Sequence, residues 1–350
     1  MTRTLTYAAA AAHAPLSPMH VERRALREDD VQIAIAYCGV CHSDLHYVHN
    51  DWNSSVFPCV PGHEIIGHVT AIGSAVDRYQ VGDAVAVGCM VDSCQHCKPC
   101  AEGQEQLCVT LPTPTYNGKD RVSGDITYGG YAQSIVVREK FVLRVPTGLD
   151  LKHAAPLLCA GITVWQPLRK HQVKAGTRLA VIGLGGLGHM AVKLAKALGA
   201  EVTVITTSAS KADDARALGA SHVLLSKEPA AMQAAASSFD LILDTIPTRH
   251  NVNPYLMLLA RGGTLVLIGA LEPLEPIHGA LLMINDRSIA GSLMGGLPAT
   301  QELLNFCAEH QVLPECEMIA MQDINGAFER MQNNDVKYRF VIDMATLKDA

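Results

Sequence analysis

Short apolar segments of strand length dominate the first part of the chain. Residues 31–35 and 83–87 alternate or run apolar, and glycines follow at short intervals between positions 62 and 88. Residues 111–131 are polar and rich in proline and glycine. This pattern predicts a β-rich domain with many turns and one extended surface loop.

The pattern changes near residue 156, after which apolar runs alternate with helical patterns. The runs lie at 179–182, 202–205, 223–225, 241–243 and 264–268, with a weaker one at 288–290. Residues 190–198 repeat apolar positions at helical spacing and end at Gly199, which predicts a helix. Alternating strands and helices predict an α/β domain with a doubly wound parallel sheet. A helix-like segment at 301–310 and a strand-like segment at 338–342 follow.

A glycine-rich loop follows the first of these predicted strands and opens the next helix. Its sequence is Gly183-Leu184-Gly185-Gly186-Leu187-Gly188. In this context the spacing is that of a dinucleotide-binding loop, in which backbone amides and the helix N-terminus face the pyrophosphate. The alternative is a glycine-rich turn without a ligand.

The end of the second predicted strand of this domain selects the cofactor. An NAD site has Asp or Glu there, whereas this chain has Thr206-Thr207-Ser208-Ala209-Ser210-Lys211. Hydroxyl groups and a lysine suit a 2′-phosphate, which a carboxylate would repel. We therefore predict NADP(H). A polar turn that tolerates either cofactor stays open, because the usual phosphate partner, an arginine, is missing here.

Four closely spaced cysteines predict a metal site. Cys94, Cys97, Cys100 and Cys108 are separated by two, two and seven residues. Four thiolates at such spacing match the tetrahedral preference of Zn²⁺ in closed, structural sites. An iron–sulfur cluster also takes four thiolates, and a disulfide pair or a set of unrelated thiols stays open as well.

Composition narrows the class of protein. The 350 residues, 49% hydrophobic and 18% charged, predict about two globular domains. A net charge of −6 without a basic cluster argues against nucleic-acid and anionic-membrane partners, and no apolar run is long enough to span a bilayer. Eleven cysteines without an export signal predict a reducing compartment, the cytoplasm.

A second group of soft ligands is spread along the chain. Cys41-His42-Ser43-Asp44-Leu45-His46 and Gly62-His63-Glu64 come early, and Leu158-Cys159-Ala160 comes much later. Two cysteines and a histidine make a three-ligand zinc site with an open fourth position. Spacing alone does not join these residues, because single cysteines and histidines usually belong to cores or surfaces.

Taken in order over essentially the whole chain, these motifs resemble the zinc-dependent alcohol dehydrogenases of the medium-chain dehydrogenase/reductase family. Residues 206–211 and the ending Lys337-Tyr338-Arg339-Phe340-Val341 are similar to the cinnamyl alcohol dehydrogenase branch. That branch includes bacterial NADPH-dependent aldehyde reductases of broad substrate range.

The resemblance implies roles for individual residues. Cys41, His63 and Cys159 match the catalytic zinc ligands, with Glu64 as the adjacent glutamate, and the four-cysteine group matches the structural zinc. Two zinc ions per chain are therefore expected. Asp44 matches the carboxylate that orients the ligand histidine, Ser43 the hydroxyl that takes the substrate proton, and His46 the histidine that passes it on.

Further positions match cofactor and substrate contacts of the family. Thr163 and Arg339 match cofactor contacts, and His42 stands where some members have an arginine at the pyrophosphate. Trp52 matches a substrate-pocket position, with an ordinary core aromatic as the alternative.

The resemblance also implies the architecture and the activity. A β-rich, chaperonin-10-like (GroES-like) catalytic domain is expected at 1–155 and 295–350, and a Rossmann domain at 156–294. The expected enzyme is a homodimer joined through Rossmann edge strands. It would interconvert primary alcohols and aldehydes, aromatic or medium-chain, by hydride transfer with NADP(H), in the direction of aldehyde reduction. The alternatives are a non-catalytic zinc and dinucleotide-binding protein, and an NAD-dependent polyol or secondary-alcohol dehydrogenase.

Overall fold

The computed structural model describes residues 2–269 and 272–348. Contacts within the chain divide it into two compact units. The first unit comprises Met1–Cys159 and Gly295–Ala350, and the second comprises Ala160–Met294. The second unit begins at Ala160, whereas the sequence pattern predicted a domain boundary at residue 156.

The segment up to Cys159 is rich in strands, as the apolar pattern predicts. Its strands are β1 (Thr2–Ala8), β2 (Ser17–Arg23), β3 (Asp30–Val40), β4 (Ile65–Ile72), β5 (Ala84–Val87), β6 (Met90–Asp92), β7 (Thr113–Pro114), β8 (Ser134–Arg138) and β9 (Leu143–Arg144). Its helices are α1 (His42–His49), α2 (Lys98–Ala101) and α3 (Leu151–Ala154). The segment at 111–131 is mostly irregular apart from the short strand β7, but the prediction of a surface loop holds only for its middle, residues 121–125. Tyr116 and Tyr131 are buried, because their rings pack into the interior of the unit.

The second unit is the predicted α/β domain. Its elements are α4 (Ala160–Lys170), β10 (Arg178–Ile182), α5 (Gly186–Ala197), β11 (Glu201–Thr206), α6 (Ala212–Ala217), β12 (His222–Leu225), α7 (Pro229–Ala234), β13 (Phe239–Asp244), α8 (Asn253–Leu256), β14 (Leu259–Leu267), α9 (Ala280–Met283) and β15 (Ser288–Gly291). The strands form one parallel sheet in the order β12-β11-β10-β13-β14-β15. This order confirms the doubly wound Rossmann fold.

The chain then returns to complete the first unit. The last elements are α10 (Leu297–His310), β16 (Cys316–Ala320), α11 (Ile324–Gln332) and β17 (Arg339–Asp343). The main sheet of this unit has the order β16-β17-β3-β4-β5-β9, and β8 also pairs with β3. Among the helices of residues 2–269 and 272–348, none is long and apolar enough to cross a membrane.

The pairing of β3 brings three chain segments together at one place in the sheet. Phe340 in β17 lies opposite Val40, and Ile65 in β4 lies opposite Cys38. The end of β3, the start of β4 and the start of β17 therefore meet. Cys41 follows Val40, Glu64 precedes Ile65 and Arg339 precedes Phe340, so these three residues lie at the meeting point.

Candidate active site

The separated soft ligands converge in the first unit. Cys41 follows β3 and precedes α1, His63 and Glu64 immediately precede β4, and Cys159 follows the short helical turn at 155–158. One ligand atom from each of these four residues lies within 4.8 Å of the corresponding atoms of the others. The fold thus joins residues that the spacing of the sequence could not join.

This donor set fits a zinc ion. Two thiolates bound to one Zn²⁺ at about 2.3 Å in tetrahedral geometry lie about 3.8 Å apart. The Sγ atoms of Cys41 and Cys159 are 3.7 Å apart. Hydrogen bonding from Cys159 holds the pKa of Cys41 well below its ordinary value, and His63 and Arg339 act in the same direction. The thiolate is the form that a metal binds.

Asp44 connects two of the candidate ligands. Its Oδ1 accepts hydrogen bonds from the Gly62 amide (3.1 Å) and from Nδ1 of His63 (3.2 Å). Its Oδ2 accepts one from the Cys41 amide at 2.9 Å. Burial is the largest single effect and lowers the pKa of His63, but the charges of Asp44 and Cys89 and the hydrogen bonds with Asp44 and Cys41 together outweigh it. The pKa of His63 is therefore well above its ordinary value. The bond at Nδ1 leaves Nε2 of His63 for a metal.

Glu64 has a partner that sequence reasoning missed. Arg339, the first residue of β17, forms a buried ion pair with Oε1 of Glu64. Oε2 of Glu64 is buried and has no hydrogen-bond partner among the described residues. Burial lowers the pKa of Arg339, but Glu64 and the nearby thiols raise it above the ordinary value. An orphaned carboxylate oxygen beside the ligand cluster suits a nearby cation.

Helix α1 carries the residues that we expect to handle the proton. Ser43 Oγ lies 3.6 Å from Cys41 Sγ. Nδ1 of His46 lies 2.7 Å from Oδ2 of Asp51, a contact that the sequence did not reveal. Ser43 and His46 are three residues apart, so they are neighbours on one helix face. His42 is the first residue of the same helix.

Aromatic rings and one further thiol surround these residues. The Trp52 ring lies 5.1 Å from the ring of His46, and Trp52 is 37% exposed, so it is not an ordinary core aromatic. The Tyr116 ring stacks against the His63 ring at 5.8 Å. Cys89 lies near Cys159, whose hydrogen bond lowers the pKa of Cys89. Nothing in the sequence marked Tyr116 or Cys89 as neighbours of this site.

The four-cysteine group also comes together as expected. The Sγ atoms of Cys94, Cys97, Cys100 and Cys108 lie within 4.8 Å of one another. The distance from Cys94 Sγ to Cys100 Sγ is 4.0 Å, close to the tetrahedral spacing. Backbone amides donate to the Cys94 and Cys108 sulfurs at 3.4 Å each, as thiolate ligands require. All four ligands are thiols, so the group fits a closed, structural zinc site.

The glycine loop of the second unit begins directly after β10 and includes the first turn of α5. Gly183 has a positive φ of 89°, and a Cβ at Gly188 would lie 2.2 Å from the Gly183 carbonyl oxygen. A Cβ at Gly185 would meet nothing within 4 Å. The loop therefore packs closely on its inner side and leaves open space at Gly185, as the approach of a pyrophosphate requires.

The end of β11 presents hydroxyl groups and a lysine beside this loop. Thr206 is its last residue, and the Ser208 amide donates to Thr206 Oγ1 at 3.2 Å. Thr207 and Lys211 are exposed, and the Lys211 Nζ donates to the carbonyl of Leu184 at 3.2 Å. The lysine thus sits next to the glycine loop. Thr163 lies buried on α4 in the same unit.

Family comparisons cover both units of the chain. Residues 27–147 match the family model described as the alcohol dehydrogenase GroES-like domain. Residues 186–309 match the model described as zinc-binding dehydrogenase. Together they support the assignment of the first unit as GroES-like and the second as Rossmann-type.

Two named relatives match nearly the full length of the chain. The aldehyde reductase YahK of Escherichia coli is 50% identical over 337 residues, which cover 96% of this chain and 96% of that protein. An NADP-dependent alcohol dehydrogenase C of Mycolicibacterium smegmatis is 49% identical and covers 99% of this chain and 100% of that protein.

Solved structures give the same result. A cinnamyl alcohol dehydrogenase of Sorghum bicolor superposes with a TM-score of 0.96 at 42% identity, covering 100% of both chains. A cinnamyl alcohol dehydrogenase of Helicobacter pylori, solved in complex with NADP(H), has a TM-score of 0.92 at 37% identity and covers 98% of this chain and 99% of that one. This chain therefore belongs to the zinc-dependent alcohol dehydrogenases of the medium-chain dehydrogenase/reductase family.

Proposed function

We propose that this protein interconverts primary alcohols and aldehydes by hydride transfer with NADP(H), and that it works as an aldehyde reductase. The convergence of Cys41, His63 and Cys159 carries this proposal, because a three-ligand site leaves a position where a substrate oxygen can bind. Relatives of about half identity that are named aldehyde reductase and NADP-dependent alcohol dehydrogenase support the activity and the cofactor.

Cys41, His63 and Cys159 would hold the catalytic zinc, and Cys94, Cys97, Cys100 and Cys108 the structural zinc. Zinc at the first site supplies a Lewis acid that makes the carbonyl carbon a better hydride acceptor. Asp44 fixes the orientation of His63, and Arg339 restrains Glu64 next to the ligands. The chain itself therefore supplies a rigid, desolvated ligand set.

Ser43 and His46 would manage the proton. After hydride transfer the substrate oxygen needs a proton, and the Ser43 hydroxyl lies next to the ligand Cys41. His46 is the neighbouring residue on the face of α1 and is held by Asp51. The serine would donate its hydroxyl proton to the substrate oxygen, and the histidine would return a proton to the serine. Such a relay can work without opening the site to bulk water.

The second unit would bind the cofactor. Residues Gly183–Gly188 and the N-terminus of α5 would hold the pyrophosphate, because the first amides of a helix have no acceptor within the helix and can face an anion. Thr206, Thr207, Ser208 and Lys211 would contact the 2′-phosphate, because they offer hydroxyls and one positive charge and no carboxylate. We assign further cofactor contacts to His42, Thr163 and Arg339 on family resemblance.

The substrate would be a small aldehyde or alcohol of aromatic or medium-chain type. Trp52 would line its pocket, because its ring lies beside His46 and packs edge-on against Tyr47 at 4.9 Å. A large ring held in place by a second aromatic favours planar or slender substrates.

We also propose a cytoplasmic homodimer. Strand β15 is an edge of the Rossmann sheet, and the nearby apolar side chains of Met283 and Leu293 are 81% and 66% exposed. An unpaired edge flanked by apolar residues is a suitable surface for a second copy. Six of the eleven cysteines are proposed zinc ligands, which bind as thiolates, and this suits a reducing compartment.

The test of the activity is an initial-rate comparison on zinc-replete protein. Benzaldehyde and cinnamaldehyde are reduced with NADPH and, separately, with NADH. We expect turnover with a strong preference for NADPH. A preference for NADH would support the dehydrogenase activity and contradict the cofactor assignment. No turnover with either cofactor, on these and a wider panel of aldehydes, would favour the non-catalytic alternative.

A further inference from the structure

The hydroxyl group of Tyr131 lies against the carboxylate that orients a candidate zinc ligand. Tyr131 is fully buried, and its hydroxyl donates to Oδ2 of Asp44 at 3.1 Å. We propose that Tyr131 is a positioning residue for the zinc ligands Cys41 and His63, and that it acts through Asp44. This inference rests on the proposed zinc site and concerns how tightly the chain holds the metal.

Tyr131 completes the hydrogen bonding of Asp44. A carboxylate offers about four acceptor sites. Oδ1 of Asp44 accepts from the Gly62 amide and from His63, and Oδ2 accepts from the Cys41 amide and from Tyr131. Asp44 is fully buried, so water cannot replace a lost donor. Four donors hold the Asp44 carboxylate in one orientation. That orientation fixes the positions of the two ligands Cys41 and His63.

The backbone places the Tyr131 hydroxyl accurately. Gly129, Gly130 and Tyr131 donate their amides to the carbonyls of Val60, Gly62 and Pro61 at 2.8, 2.8 and 3.0 Å. The segment that carries Tyr131 is thereby fastened to the segment that leads into His63. Gly62 has a positive φ of 102°, and a Cβ there would lie 2.8 Å from the Tyr131 ring.

Arg23 holds the other side of this segment. Its guanidinium is buried and donates to the carbonyls of Tyr128 and Gly129 at 2.5 and 2.7 Å. Burial and the Asp44 charge raise the pKa of Tyr131 well above its ordinary value, so the hydroxyl stays protonated and donates. Tyr131 is therefore a protonated donor whose backbone is held by hydrogen bonds to residues 60–62 on one side and from Arg23 on the other.

The test is the zinc affinity of Tyr131→Phe, which keeps the ring and removes only the hydroxyl. Changing groups that orient metal ligands typically weakens metal affinity 10- to 100-fold, so we expect a loss of about ten-fold at the catalytic site in chelator competition. The structural zinc should keep its wild-type affinity and serves as an internal reference. The Co²⁺-substituted variant should also show a shifted ligand-field spectrum at the catalytic site.

Tyr79→Phe is the matched control. The Tyr79 hydroxyl is also buried in the first unit and donates to the Val142 carbonyl at 2.6 Å, away from the ligands. This variant should lose stability and keep wild-type zinc affinity at both sites. An equal loss of zinc in both variants, or wild-type affinity in Tyr131→Phe, would overturn the proposal.

A double-variant cycle tests the route through Asp44. In an Asp44→Asn background, Tyr131→Phe should change the zinc affinity less than about two-fold, because residues in one network are non-additive. A full ten-fold further loss would mean that Tyr131 acts by another route. The zinc measurement does not depend on turnover, so a protein that binds zinc and reduces no aldehyde would refute the proposed function and leave this test intact.

Discussion

Asp44 and His63 form a buried pair in which Oδ1 of the carboxylate lies 3.2 Å from Nδ1 of the imidazole. Because Nδ1 of His63 is hydrogen-bonded to Asp44, Nε2 is the ring nitrogen that can bind a metal. The same carboxylate holds the amide of Cys41. One side chain therefore sets the geometry of two ligands that are 22 positions apart, from 41 to 63.

The first prediction concerns this pair. Asp44→Asn keeps the size of the side chain and removes its charge, so the imidazole loses its ionic partner. We expect zinc affinity at the catalytic site to fall about 10- to 100-fold. Metal analysis after mild chelation should then find one zinc per chain, the structural one. Two retained zinc ions would contradict the role of Asp44.

The second prediction concerns proton transfer. Ser43→Ala should lower kcat about 10²- to 10⁴-fold, the range of a general acid–base contribution, and leave zinc content unchanged. Thr70→Ala removes an exposed hydroxyl that donates to the Gln32 carbonyl and should leave turnover unchanged. Wild-type kcat in Ser43→Ala would rule out the proposed relay.

The third prediction concerns cofactor choice. Lys211→Ala should lower kcat/KM with NADPH about ten-fold or more, because a hydrogen bond to a charged group contributes about 1.5–3 kcal/mol. The value with NADH should stay unchanged. Lys227→Ala, at an exposed lysine of the same unit, is the control and should affect neither cofactor. Equal losses with both cofactors in Lys211→Ala would contradict a 2′-phosphate contact.

The fourth prediction concerns stability against acid in the first unit. Arg27 forms two hydrogen bonds to Asp120, at 2.8 and 3.0 Å. Burial raises the pKa of Asp120, but Arg27 and the amides of Ser123 and Val122 outweigh it and the pKa lies well below its ordinary value. A carboxyl whose pKa is lower in the folded state than in the unfolded state, where it is about 3.9, stabilises the fold at pH values above about 3.9. This stabilisation decreases as the pH falls towards the folded-state pKa.

Asp120→Asn should therefore lower the unfolding midpoint at pH 7, and the difference from wild type should narrow below about pH 4. The difference is the quantity to measure, because both proteins lose zinc in acid. Asp213→Asn removes a 97%-exposed partner of Arg216 and should change little at either pH. A midpoint difference for Asp120→Asn that is independent of pH would contradict this explanation.

The sequence predicted the second unit well because its signals are local. Each predicted apolar run lies in or overlaps a strand of the parallel sheet. The helix predicted at 190–198 begins earlier, at Gly186, since the glycines of the loop carry no apolar signal. Strand β14 begins at Leu259, whereas the apolar pattern predicted a start at residue 264. The prediction missed residues 259–263 because Gly262 and Gly263 interrupt the apolar pattern.

The candidate site was predictable only through the family resemblance. Cys41 and Cys159 are 118 positions apart, and no local pattern indicates that their sulfurs meet. The ion pair between Glu64 and Arg339 spans 275 positions and depends on the pairing of β17 with β3. Tyr131 was missed for the same reason, because its contact with Asp44 arises from long-range backbone pairing.

The most direct test of the central claim follows a labelled hydrogen. Zinc-replete protein is incubated with benzaldehyde and NADPH that carries deuterium at both C4 positions of the nicotinamide, and the product is analysed by mass spectrometry. The account predicts benzyl alcohol with one deuterium on the carbinol carbon, because hydride passes directly from the cofactor to the carbonyl carbon. Alcohol that forms without deuterium, or NADPH that is not consumed, would contradict it.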